Sequence, residues 1–293
     1  MRLVSLLSKM SKRLSKGEGM ARKPTRKLRK SDRIKQKNLR GFVLGGLALV
    51  AVAGLVGFSL TQDNVSVSKE TFCPNDPDQS PGVTAVILDT TDRFSPVQQE
   101  ALLNEFQRLQ DSLAQYERLE VYEVGPTKSK PLKSLFSLCN PGRGKYIDPL
   151  IGNPRLVEKK WQESFTNPLK GVLAATMDRS SAQSSPIIES LQSVAVTSMD
   201  RQSDHGHRRL IIASDMLQHS EIYSHYNRAA PFEEFKLQPE YKRAFARLKR
   251  VDVTVWYVRR AGMEDRQTRA HITFWEKYLN DLGATLQRVK ILG

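Results

Sequence analysis

The chain has 293 residues, 39% of them hydrophobic, and a formal net charge of +15 from 46 Lys and Arg against 31 Asp and Glu. The charge is not spread evenly: residues 1–40 hold 15 Lys and Arg against only Glu18 and Asp32, a net +13, which leaves about +2 for residues 61–293. A folded part so nearly neutral requires no nucleic acid as partner, and two cysteines offer too few ligands for a metal site of their own.

In chain order the basic tail comes first. Arg22, Lys23, Arg26, Lys27, Arg29, Lys30 and Arg33 form a dense run without aromatics. Such a run attracts nucleic acid or anionic lipid, but beside an apolar segment it reads first as a topology signal. Met20 follows Lys16-Gly17-Glu18-Gly19, whose codons would be purine-rich like a bacterial ribosome-binding site. Translation from Met1 and translation from Met20 both stand open, and in the second case residues 1–19 are a start-site artefact. Residues 41–60 carry no charge, and a helix of that length rises about 30 Å, the thickness of a bilayer's hydrocarbon core. The core is longer and the lead far longer than a cleaved signal peptide has, and Leu60-Thr61-Gln62 is a poor cleavage site. One uncleaved transmembrane helix is expected, its basic side cytoplasmic. Residues 61–293 then face the periplasm of a bacterium, anchored once in the inner membrane. Gly41 and Gly45 have the spacing that packs membrane helices together, so an oligomer through that helix is open.

Beyond it, residues 61–82 are polar and rich in Pro and Asp, a linker. Cys73 and Cys139 both lie on the oxidising side, where an even pair predicts a disulfide. From Val83 the pattern becomes that of a folded domain over 83–293. An apolar run at 83–88 predicts a buried strand. Ser95-Pro96 is a helix start, and Leu102, Leu103, Phe106, Leu109 and Leu113 follow at helical spacing. Residues 119–124 alternate as a strand. Residues 125–180 are broken by six prolines and predict an irregular insertion with helices at 155–165 and 169–179. Helices at 186–199, 241–250 and 268–282 alternate with strands at 210–213, 251–258 and 285–291. Strands alternating with helices predict an α/β fold: a doubly wound, mostly parallel sheet with helices on both faces.

In such a sheet ligands sit beyond the carboxyl ends of the strands. Asp89-Thr90-Thr91-Asp92-Arg93 ends the first strand, Ser184-Ser185 precede the helix at 186, and Ser214-Asp215 end the strand at 210–213. Carboxylates and hydroxyls on three loops are oxygen ligands that suit Mg²⁺. The order and placement of these residues resemble the von Willebrand factor A domain and its metal-ion-dependent adhesion site. That family carries Asp-x-Ser-x-Ser after its first strand, a Thr before a helix, and an Asp after a buried strand. Asp89 and Thr91 match the first motif, Ser184 or Ser185 the second, and Asp215 the third. Arg93 stands where the family has its second Ser. A guanidinium cannot ligate a cation, so Arg93 is a candidate to replace the metal, with Asp92 as its partner or as a substitute oxygen. The plainer alternative is that Asp89, Ser184, Ser185 and Asp215 only cap the helices that follow them.

The resemblance implies a protein-interaction module that binds another envelope or membrane protein at the strand-end face, with Mg²⁺ where a partner's carboxylate completes the shell. Two alternatives stand beside it. One is a Mg²⁺-dependent phosphoryl or ester hydrolase using Asp89, Asp92 and Asp215, for which no base or nucleophile pair is evident. The other is a scaffolding subunit of an envelope assembly. Gly142-Arg143-Gly144-Lys145 lacks the first Gly of a phosphate loop and has Tyr146 where its Ser or Thr belongs. His205-Gly206-His207 lies in a polar loop without a ligating partner.

Overall fold

The computed structural model describes residues 42–54, 65–124, 132–150, 152–177, 184–202, 205–226 and 230–292. The basic tail, the Met20 start, both ends of the apolar segment and residues 61–64 of the linker lie outside them. Two units are separable, Met1–Asn64 and Val65–Gly293. Of the first, residues 42–54 are helical. Among the described residues no helix is long and apolar enough to cross a membrane.

The second unit is a mixed six-stranded sheet with helices on both faces. β1 is Gly82–Leu88, and α1, Pro96–Ser112, opens on a capping box: Ser95 accepts from the Gln98 N–H while Gln98 accepts from the Ser95 N–H. That reciprocal pair, with Pro96 in the first turn, is why the helix starts where it does. β2 is Arg118–Glu123 and β3 is Ser134–Cys139. α2, Pro154–Trp161, runs through a π turn at Gln162–Thr166 into α3, Asn167–Met177. α4 is Ile187–Val194 and continues as a π turn to Met199. Then come β4, His207–Ser214; the short α5, Phe232–Lys236, and α6, Pro239–Ala244; β5, Asp252–Val258; α7, Arg269–Asp281; and β6, Thr285–Leu292.

The strand order is β3-β2-β1-β4-β5-β6, parallel except for the β2–β3 pair. Alternate side chains feed two cores, as a pleated strand requires. Val83, Ala85 and Ile87 meet α4 and α7 on one face, and Val86 and Leu88 meet Phe106 of α1 and Phe165 and Leu169 of the α2–α3 helix on the other. Every residue of β1 is buried, which accounts for its unbroken apolar run.

Two features differ from the expectation. Residues 134–139, inside the stretch read as irregular, form the antiparallel edge strand β3. The helix expected at 241–250 stops at Ala244. Its last carbonyls are taken by side chains, Ala244 O by the Tyr278 hydroxyl and Arg243 O by the Gln192 amide, and Leu248 then turns into the core.

Cys73 and Cys139 form a disulfide with Cα atoms 4.8 Å apart. The bond is reinforced where Cys139 N–H donates to Thr71 O at 2.9 Å, so the segment around Cys73 is held against the end of β3. The Gly142-Arg143-Gly144 run is also structural: Arg143 pairs with Glu158 and Asp111 and lies 4.0 Å over the Trp161 ring, and Gly144 N–H donates to Glu158.

At the amino ends of the strands, Glu117 is 1% exposed and accepts from Thr84, His207 and Arg209 at 2.6–3.0 Å. Burial pushes its carboxyl up, but the bonds from His207, Thr84 and Arg209 outweigh that and hold it at about 2. Its folded value lies below the unfolded one, so its stabilisation is present above pH 4.5 and is lost as pH falls toward 2. Glu117→Gln should cost about 2 to 3 kcal/mol at pH 7 and almost nothing near pH 2. Chemical denaturation across that range checks it, and a cost independent of pH would contradict it.

Candidate functional site

β1 leads on to β2 on one side, while β4 pairs with its other edge. Connections leave these two neighbours in opposite directions, a topological switch point, and the carboxyl ends there are the position where doubly wound sheets bind ligands. Asp89 follows β1 and Asp215 follows β4, so the sequence candidates meet there.

Asp89 is 2% exposed. Its Oδ1 accepts from the Thr91 hydroxyl at 2.6 Å and the Thr91 N–H at 3.1 Å. Its Oδ2 accepts from the Ser214 hydroxyl at 2.6 Å and the Ser185 hydroxyl at 3.2 Å. Three loops therefore converge on one carboxylate. Of the paired serine candidates, Ser185 reaches it; Ser184 is half-buried and makes no hydrogen bond to Asp89 among the described residues. Ser214 was not singled out as a partner, although the sequence placed it at the strand end. Thr90 turns the other way and donates to Glu123.

Asp215 is also buried. Its Oδ1 accepts from the Leu217 N–H at 2.8 Å, which makes it a local cap. Its Oδ2 is held by the Arg260 guanidinium, whose Nη1 pairs with Asp92 at 2.7 Å. Burial and, next, the charge of Asp89 push the Asp215 carboxyl up to about 6, with Arg260 pulling the other way. Arg93, a candidate for a built-in cation, is exposed and makes no ion pair among the described residues. The cation of the site comes from the loop after β5 instead. Gln267 fixes that loop, since its Oε1 accepts from Arg260 N–H and its Nε2 donates to the carbonyls of Asp215 and Val258. Sequence reading missed Arg260 because its partner lies 45 residues upstream; the available signal was its position at a strand end, directly after β5.

The turn after Asp215 is pinned by hydrogen bonds. Met216 adopts a left-handed φ of 61°, an uncommon conformation for a residue with a side chain. It is held there because its carbonyl accepts from Trp275 Nε1 at 2.8 Å and its N–H donates to Ser214.

These residues can be tested as a Mg²⁺ site. The hydroxyls of Thr91, Ser185 and Ser214 have the right chemistry. Asp215 does not: one oxygen is taken by a backbone N–H and the other by a fixed positive charge. A guanidinium on the carboxylate repels an incoming cation and leaves it little charge to neutralise. Among the described residues no group of three His, Cys, Asp or Glu is placed to hold a metal. The arrangement fits a site closed by Arg260, not one built for a divalent ion.

No protein-family model matches the chain, and no curated protein matches it in sequence. Solved structures do. The VWA domain of SpRpn10 is 8% identical, over 72% of this chain and 87% of that one, with a TM-score of 0.38. BatB from Bacteroides thetaiotaomicron is 13% identical, over 72% and 90%, with a TM-score of 0.36. The manganese-loaded TRAP protein of Plasmodium vivax is 15% identical, over 60% and 57%, with a TM-score of 0.31. The likeness is weak, and the residues above stand on their own geometry.

Proposed function

We propose that the chain is a von Willebrand factor A-like protein-interaction module that docks a partner at the carboxyl end of its sheet without a metal ion. The observation that carries this reading is the Arg260 guanidinium lodged between Asp215 and Asp92, the positive charge on the carboxylate that the resemblance would make a metal ligand. The strand order, with its switch point between β1 and β4, supports it, as does the ring of hydroxyls around Asp89. The partner's carboxylate, which would complete a metal shell in a metal-dependent relative, would here meet the outer face of Arg260, whose side chain is 20% exposed.

A photo-crosslinking residue at Asp92, on the rim of this face, should trap a discrete envelope partner, with or without a chelator. The same residue at Lys249, at the opposite end of the sheet, should not. Equal trapping at both positions, or trapping at Asp92 that vanishes with the chelator, contradicts the reading.

The membrane anchor and the periplasmic placement belong to the same proposal and rest on the sequence. The charge-free run at 41–60 beside a +13 tail supports them, and the disulfide suits an oxidising compartment. A reporter active only outside the cytoplasm, fused after Gly293, should be active. Activity of a cytoplasm-only reporter at that position would reverse the topology.

A further inference from the structure

A basic segment with no acid inside it runs from the end of α6 to the turn before β5. Lys242, Arg243, Arg247, Lys249 and Arg250 all carry exposed side chains. Leu248 and Val251 between and beside them are buried, and backbone bonds fix the turn: Leu248 N–H donates to Leu282 O at 2.9 Å, Val251 N–H to Leu248 O at 3.2 Å and Thr285 N–H to Val251 O at 2.9 Å. Arg250 holds a left-handed φ of 60° there. The charges therefore stand on a preformed loop. Arg208 joins them, lining one hollow with Arg247, Lys249 and Arg250, its guanidinium set on the carbonyls of Met199 and Gln202. The carboxylates nearby are Asp200 in that hollow, and Glu240 and Asp252 at the borders of the segment, where Asp252 accepts from Gln287. Among the described residues six cations thus stand against three carboxylates.

Two apolar side chains stand beside these charges. Phe245, inside the segment, is 52% exposed, and Val196 is 65% exposed. The Gln192 amide donates to the carbonyls of Arg243 and Phe245 at 2.7 and 2.9 Å, so the helix meets the segment there, and Val196 lies one turn beyond Gln192. An aromatic ring framed by Lys and Arg suits the boundary of an anionic bilayer: the ring enters the headgroup region and the cations meet lipid phosphates. A soluble phosphate would leave both apolar groups unused.

Connectivity brings the chain in at the same end of the sheet. Arg250 lies just before β5, Gly82 and His207 pair at the amino ends of β1 and β4, and Cys139 pairs with Arg118 at the amino end of β2. Cys139 holds Cys73, and an antiparallel bridge joins Val67 to Pro74. From Leu60, the last residue of the charge-free run, to Val65 the chain reaches at most about 18 Å.

We propose that residues 242–250, with Val196, rest on the anionic phospholipid surface of the membrane that anchors the chain, which turns the Arg260 face away from the bilayer. This rests on the anchor reading above.

Phe245→Trp tests it, because the native Trp161, Trp256 and Trp275 are buried. The full-length variant is reconstituted in vesicles with brominated acyl chains, made of phosphatidylcholine alone or with about 30% phosphatidylglycerol. The emission it adds over the unchanged protein should be quenched at least about threefold more in the phosphatidylglycerol vesicles. About 0.5 M salt should remove most of that difference. Each Lys or Arg near an anionic surface strengthens attachment about fivefold, so Arg247→Gln with Lys249→Gln should remove it too. Arg155→Gln, an exposed position on α2, should not. Equal quenching in both vesicles, or quenching indifferent to the paired substitution, overturns the proposal. Alkaline carbonate reads the anchor separately: extraction of the protein would refute the anchor, while the quenching measured beforehand still decides whether the patch binds anionic lipid.

Discussion

Arg260→Ala should destabilise the domain by about 3 kcal/mol at pH 7.5. The replacement leaves Asp215, 2% exposed in its side chain, beside Asp89 with no compensating charge. Breaking a buried pair from one side costs about 3–5 kcal/mol, and the lower end applies because a fifth of the Arg260 side chain reaches solvent. The pH dependence identifies the mechanism. In the folded state burial and the charge of Asp89 already push the Asp215 carboxyl up to about 6, above its ordinary 3.8. A carboxyl with a raised folded value favours folding most below the unfolded value, and that contribution is lost as pH rises through the folded one. Without Arg260 the value rises further, so the variant holds a neutral Asp215 at pH 5. The penalty should therefore be smaller at pH 5 than at pH 7.5. A penalty equal at both would assign Arg260 a packing role only.

Cys73→Ser should cost about 4 kcal/mol, because the disulfide closes a loop with a sequence separation of 66 and the chain-entropy cost of that loop is of this size. For a domain of this length the melting temperature should fall by roughly 8–16 °C. Cys73 is the better position to change, since it is only half-buried whereas Cys139 is 1% exposed. Chemical reduction of the unchanged protein should produce the same fall, and the variant should not respond to reductant. Alkylation of unreduced protein that labels two thiols would contradict the bond itself.

Most of the framework was legible because its signals are local. Seven buried residues in a row at Gly82–Leu88 and the capping box at Ser95 and Gln98 depend on neighbours in sequence. The disulfide was legible from counting. β3 was not, because Ser134–Cys139 has only two fully buried side chains and its pairing partner β2 supplies the rest of its definition. The prolines around it pointed to loop, yet they fall outside the strand. The site shows the same division. Asp89, Thr91, Ser185 and Asp215 were placed by strand ends and come together as expected of neighbouring loops. For the counter-charge the sequence offers a bound cation or Arg93, the Arg that is close in sequence. Arg260 reaches the carboxylates through tertiary structure alone, held by Gln267, whose contacts span the loop after β5. Local pattern finds which groups carry charge; only the fold decides which of them face each other.

The Arg260 guanidinium supplies the positive charge beside Asp215 and Asp92. A thermal melt of the unchanged protein and of Arg260→Ser, each in chelator and in about 10 mM Mg²⁺, tests it most directly. The unchanged protein should melt at one temperature in both. Arg260→Ser should melt lower in chelator and recover by several degrees in Mg²⁺, since removing the fixed cation leaves Asp89, Asp92 and Asp215 around an uncompensated cleft that a divalent ion can then fill. If the unchanged protein itself rises in Mg²⁺ and Asp89→Ala abolishes that rise, the site is an ordinary cation site and Arg260 does not replace the metal.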